Sequence, residues 1–224
     1  MHIPDGFLSA EVAAASAVVG AGAVAYGLRR AERDLDERRI PMLGVTGAFL
    51  FAAQMINFPV AGGTSGHVLG AALAAILVGP WLACLVLTVV VAMQALAFAD
   101  GGITALGANV LNIGVVGALG TGLVLAISRR LIPQTRRGLL ATGAAAAWLA
   151  VVGSALAASL ELGLSGTVPL ETVLPAMLGV HAVIGVGEAI VTVGALSAVL
   201  ASRPDLIACS RVPPARAAPA VGGA

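Results

Sequence analysis

Lysine is absent from this chain of 224 residues, and its positive charge rests on twelve arginines. Charge of either sign is scarce, at 10% of the residues, against roughly 25% in a soluble domain. Aromatic residues make up only 4%, while 59% of the chain is hydrophobic. Too little polar side chain exists to coat a water-facing globule, which excludes a soluble enzyme and a nucleic-acid binder. The two cysteines, Cys84 in an apolar run and Cys209 in the tail, fit no metal or disulfide spacing, which excludes a disulfide-stapled secreted domain. No phosphate-binding loop of the GxxxxGK[ST] type occurs, so the chain by itself is not expected to hydrolyse ATP. HExxH and GxSxG are missing too, and no inverted repeat relates the halves, as a self-contained alternating-access carrier would often show. No basic region precedes the first apolar stretch, which argues against a cleaved signal peptide.

What is present is long uncharged sequence. Ile40–Ala99 runs sixty residues without Asp, Glu, Lys or Arg, Gly101–Ser128 twenty-eight and Gly138–Leu160 twenty-three. A membrane-crossing helix needs roughly 20 mainly apolar residues. The chain therefore reads as an all-α membrane protein, a compact bundle of about seven transmembrane helices. The expected spans are Leu8–Leu28, Pro41–Phe58, His67–Gly79, Trp81–Ala99, Leu106–Ser128, Leu139–Leu160 and Leu174–Ala201. The third is short, and is expected to be a shorter or tilted helix packed on protein. With this division, Arg29–Arg39, Arg129–Arg137 and Arg203–Arg216 all fall on one side. The positive-inside tendency makes that side the cytoplasm. The N-terminus is then outside, the C-terminus inside, and the location an inner cell membrane crossed several times. Asp5, Asp100, Glu161 and Glu171 fall on the outer side, a mildly acidic face suited to cations. Residues 1–201 read as one membrane domain; 202–224, rich in Ala, Pro and Gly, reads as a disordered cytoplasmic tail.

The chemistry lies with three histidines, His2, His67 and His181. A free Met1 amine, the His2 backbone nitrogen and the His2 imidazole can chelate one metal ion through a five-membered and a six-membered ring. One in-plane position stays open. His67, after the Gly-rich loop Ala61–Gly66, is expected to begin the third span on the same side and can fill it. Four nitrogens in a plane suit Ni(II) or Cu(II), and Co(II) is possible; Mg and Ca cannot deprotonate an amide. His67 can equally cap a helix or pack in its loop. The bulky His2 is expected to protect Met1 from removal. His181 and Glu188, seven apart, share a helix face inside the membrane, where an ionisable side chain suggests a functional role; the alternative is a buried carboxyl holding the bundle together. Asn57, Asn109 and Asn112 suit cross-helix bonds or loop anchoring.

Met1-His2-Ile3-Pro4-Asp5-Gly6-Phe7-Leu8-Ser9 resembles the N-terminal signature of the CbiM/NikM family. Asn57-Phe58-Pro59 with Gly63-Thr64-Ser65-Gly66-His67 resembles its second motif. Asp100-Gly101-Gly102 with Gly107-Ala108-Asn109 and Asn112 resembles the third, and Val180-His181 through Gly187-Glu188 the fourth. The likeness runs from Met1 to about Ala201. These proteins are substrate-binding S components of energy-coupling-factor (ECF) transporters. The resemblance implies that Met1, His2 and His67 hold Ni(II) or Co(II) as cargo; Asp5, Asn57, Ser65, Asp100, Asn109, His181 and Glu188 are the candidates for ordering the site, and no organic cofactor is expected. It also implies a CbiQ/NikQ-type coupling protein, CbiO/NikO-type ATPase subunits and often a small CbiN/NikN-type membrane protein. The expected function is metal capture for an ATP-driven importer. A self-sufficient cation channel or carrier is the alternative; a membrane protease using His181 and Glu188 fits no common motif.

Overall fold

The computed structural model describes residues 1–208. Ser9 ends the N-terminal strap and caps α1 (Ala10–Asp34), its hydroxyl accepting from the Val12 N–H. There follow a 3-10 turn (Glu37–Arg39), α2 (Ile40–Gln54), the short strands β1 (Asn57–Pro59) and β2 (Ser65–His67), α3 (Ala71–Val78) and α4 (Pro80–Phe98). The remaining helices are α5 (Leu106–Leu131), α6 (Arg136–Leu164) and α7 (Leu170–Ser202). Helix α5 is π-helical over Leu111–Leu119.

Five helices, α1, α4, α5, α6 and α7, are long and apolar enough to cross a bilayer. The chain is thus a multi-pass membrane protein. The other two expected spans come out as α2, fifteen residues, and α3, eight. Eight residues at 1.5 Å rise reach about 12 Å, well short of a hydrocarbon core of about 30 Å. Helix α3 is instead core, with every residue from Ala71 to Ile76 buried.

Two boundaries differ from the expectation, both for the same reason. Asn57 does not end the second helix and His67 does not begin the third; they face each other across an antiparallel hairpin, Asn57↔His67, Phe58↔Gly66 and Pro59↔Ser65. A residue before proline is driven to extended backbone, so Phe58-Pro59 cannot prolong α2. Helix α3 starts only after Gly70, whose φ of +69° is left-handed.

Helices α6 and α7 form the most extensive contact in the bundle. The buried face of α7 carries Val173, Met177, His181, Gly185, Glu188, Thr192 and Leu196, three or four residues apart as one helix stripe requires. Glycine at 185 admits Trp148, whose indole Nε1 donates to the Ala182 carbonyl at 3.1 Å. Glu161, expected in a loop, is instead buried in α6. After α7 the chain turns back onto the bundle: Ile207 packs with Leu73, Ile76, Leu125 and Leu196, and the Ala208 N–H donates to the Leu77 carbonyl at 3.0 Å. The expectation for the rest of the tail, including Cys209, Arg211 and Arg216, falls outside the described residues. Arg30, Arg39 and Arg203 line clefts at this end of the bundle, opposite the N-terminal strap.

Candidate metal site

Residues 1–9 run as a strap across the far end of the bundle, and its first three residues are buried, Met1 and Ile3 completely. Ile3 is held like a strand residue by one side chain. Its N–H donates to Asn109 Oδ1 at 2.8 Å, and its carbonyl accepts from Asn109 Nδ2 at 3.1 Å and from the Gly102 N–H at 2.8 Å. Asp5 anchors the strap further along, accepting from the Thr104 N–H (2.7 Å) and hydroxyl (2.6 Å). These bonds lower the Asp5 carboxyl, the Thr104 hydroxyl contributing most. The Thr167 hydroxyl donates to the Phe7 carbonyl. A Cβ at Gly102 would overlap the backbone at Pro4 and Asp5. Gly102→Ala is therefore expected to unseat the strap and weaken metal binding by at least roughly tenfold, the scale seen when the supports of a ligand are lost; calorimetric titration giving the parent affinity would refute this seating.

The strap delivers the Met1 amine to Ser65. The amine donates to the Ser65 carbonyl and to Ser65 Oγ, the latter at 2.8 Å, and the His2 N–H donates to the same Oγ at 3.2 Å. Burial drives the amine's pKa from 8.0 down to about 4, against the opposing pull of Asp100. The amine is therefore neutral at pH 7. Both of the contacts it makes as a donor go to Ser65.

His67 is prepared in the same sense. Its Nδ1 lies 2.9 Å from the Val68 carbonyl. A carbonyl can only accept, so Nδ1 carries the hydrogen and Nε2 the lone pair. Nε2 is buried without a partner. Burial above all holds the ring well below its ordinary value. The His2 and His67 rings lie nearly parallel, 15° apart with centroids 4.6 Å apart. His2 Nδ1 is 3.3 Å from Asp100 Oδ1, and Asn57 Nδ2 donates to Asp100 Oδ2 at 2.8 Å. Burial acts to raise the Asp100 carboxyl, but His2, the amine and Asn57 outweigh it and hold it low. A cavity of about 510 Å³, lined by His2, Asp5, Asn57, Ser65 and Asp100, adjoins this cluster.

The loop carrying Ser65 and His67 rests on one face of α7. A Cβ at Gly63 would come within 2.6 Å of Met177 Sδ, and one at Gly66 within 2.9 Å of Ile184 Cδ1. His181, between them on that face, is fully buried and close enough to the amine and Ser65 to interact with both. Its Nδ1 donates to the Met177 carbonyl at 2.7 Å, leaving Nε2 unpartnered. One further step along, Glu188 accepts from the Leu69 N–H at 2.8 Å and the Gly70 N–H at 2.5 Å. These donors sit at the N-terminus of α3, where no backbone carbonyl is available and a carboxylate also meets the positive end of the helix dipole. Glu188 is thus tied to the loop next to His67, not to the cluster itself.

Met1, His2, Ser65, His67, Asp100, Asn57, Asn109 and His181 converge as a group, with Asp5 on the strap. Sequence reasoning missed Gln54, a fully buried amide whose Nε2 donates to the Leu69 carbonyl at 2.8 Å. Its one signal was an amide inside an uncharged run. Thr104, Asp5's partner, had none. Among the described residues no three His, Cys, Asp or Glu side chains meet as a ligand group.

At one end of a membrane-embedded bundle, then, an N-terminal amine and three buried imidazoles lie close together. Residues 2–206 match the family described as "Cobalt uptake substrate-specific transmembrane region", CbiM, and the chain belongs to that family. It is 36% identical over 231 residues to the fused nickel transport protein NikMN of Rhodobacter capsulatus, covering 96% of this chain and 66% of that protein. It is 35% identical over 190 residues to the cobalt transport protein CbiM of Sorangium cellulosum, covering 83% and 84% of the two. A crystal structure of a truncated transition metal transporter superposes with a TM-score of 0.83 at 30% identity, covering 90% of this chain and 99% of that one.

Proposed function

We propose that this chain is the metal-capturing component of an ATP-driven ECF importer, taking Ni(II) or Co(II) at the outer face of the inner cell membrane. The ion is held by the Met1 amine, the His2 backbone nitrogen, His2 Nδ1 and His67 Nε2. The observation that carries this reading is the placement of the amine: wholly buried, held by Ser65, and beside the paired rings of His2 and His67. In the plane, His67 completes the square opposite the amide nitrogen. Two imidazoles on adjacent corners, with metal–nitrogen distances of about 2 Å, have centroids roughly 4–5 Å apart, and 4.6 Å falls in that range.

The other residues have supporting tasks. Asp5 and Asp100 give the adjoining cavity a negative cast that draws cations. Asp100 steadies His2 Nδ1 until the ion displaces that contact. Ser65 orients the amine, Asn109 fixes Ile3, and Asn57 holds Asp100. His181 and Glu188 bed the loop on α7. The relatives' names supply the cargo class, and the fused NikMN protein points to a NikN-type partner. Energy would come from CbiQ/NikQ-type coupling and CbiO/NikO-type ATPase subunits. The arginine-bearing end would face them in the cytoplasm.

The pH dependence of Ni(II) binding tests this reading. Between pH 7 and 8.5 the amide proton alone must leave, so log affinity should rise by about one unit per pH unit. An amine at its ordinary 8.0 would add a second proton across this window. As pH falls through about 4 the amine takes up a proton and is lost as a ligand. A slope near two between pH 7 and 8 would overturn the reading.

A further inference from the structure

Glu161 is a buried carboxylate with no part in holding the ion, 7% exposed and far along α6. Its Oε1 accepts from the Ser16 hydroxyl of α1 at 2.9 Å, and its Oε2 from Asn112 Nδ2 of α5 at 2.6 Å. The Asn112 carbonyl in turn accepts from the Ser154 hydroxyl of α6 at 2.7 Å. Three helices therefore meet on one carboxylate, whose donors are both neutral.

Its neighbours connect it to the strap. Asn109, one turn before Asn112 on α5, is the residue that clamps Ile3 on both sides. Between them the helix changes character, since the π-helical stretch starts at Leu111. A π turn holds more residues than an α turn and so rotates the side chains after it relative to those before it. Asn109 lies on the α side of that junction and Asn112 on the π side. Fixing Asn112 fixes the azimuth at which Asn109 leaves the helix. Ser16 brings α1, the helix the strap leads into, to the same anchor, and Ala17 presses so closely on Gly107 that a Cβ there would overlap its backbone.

We propose that Glu161 is a positioning residue for the metal site: by bonding Asn112 and Ser16 it sets the register of α5 against α1, and through Asn109 the seat of Met1, His2 and Ile3. The proposal rests on the N-terminal metal site put forward above. It differs from general packing in one respect, that Glu161 acts through Asn109.

A double-mutant cycle on the full chain, beginning at a free Met1 and titrated with Ni(II), reads this out. Glu161→Gln should lower affinity roughly tenfold, in the range of lost ligand supports, and Asn109→Ala by a similar factor. Residues acting in one network do not add, so the double variant should bind no more weakly than the weaker single variant. Losses that multiply would overturn the proposal, as would Glu161→Gln with parent affinity. If Glu161→Gln fails to fold, Asn112→Leu replaces it in the same cycle with the same two outcomes. His67→Ala is titrated alongside. If it binds as the parent does, the site itself is wrong; if it binds weakly while the cycle is additive, only the role of Glu161 fails.

Discussion

Placing two residues, Gly-Ser, ahead of Met1 should lower Ni(II) or Co(II) affinity by at least about a thousandfold, the scale on which linked donors outbind separate ones. The extension turns the amine into an amide and removes the five-membered chelate ring. It also cannot be accommodated where the amine now sits, because Met1 is wholly enclosed and its nitrogen lies against Ser65. The strap would have to leave, taking the His2 nitrogens with it. A retained formyl group should act in the same way. Calorimetric titration of the extended and free-amine proteins checks this, and equal affinities would rule out the amine as a ligand.

The second large effect is expected at His67. In the proposed site, His67→Ala would remove one donor of four and leave the local Met1–His2 chelate intact. The loss should be roughly hundredfold, less than for the extension. The loop should keep its place, since Leu69 and Gly70 remain bonded to Glu188 and Gln54 still holds the Leu69 carbonyl. Thermal unfolding in detergent should therefore shift little while binding falls. Metal content of purified protein measures the second quantity, and a full complement of metal in His67→Ala would contradict the assignment.

Much of this was legible from residue order. Uncharged runs announced the membrane helices, and the placement of arginine grouped their ends. The proposed chelate could be drawn from residue order because the donor atoms of Met1 and His2 are adjacent in the chain; the burial of these residues is what the structure adds. What escaped depended on contacts between distant segments. Glu161 read as a loop acid because its partners, Ser16 and Asn112, lie 145 and 49 residues away. Hydropathy gave α3 a length close to a span, since a fully buried core helix and a lipid-facing one are equally apolar. The hairpin that removes Asn57 and His67 from helices rests on Pro59 and on pairing across the loop, which periodicity does not register.

The bonding around the ligand loop also decides where the site could come apart. Loop and α7 are joined at Glu188 by two backbone N–H groups, those of Leu69 and Gly70, held by one buried side chain. Strap and loop meet at Ser65 through a neutral amine and a hydroxyl, contacts worth about 1 kcal/mol each. A tug between the first helix and the last would load both seams, with the loop between them. In the site proposed above, the seam at Ser65 is also where an ion would bridge the two parts, three nitrogens on the strap and one imidazole on the loop, so an empty site would open more readily than a loaded one.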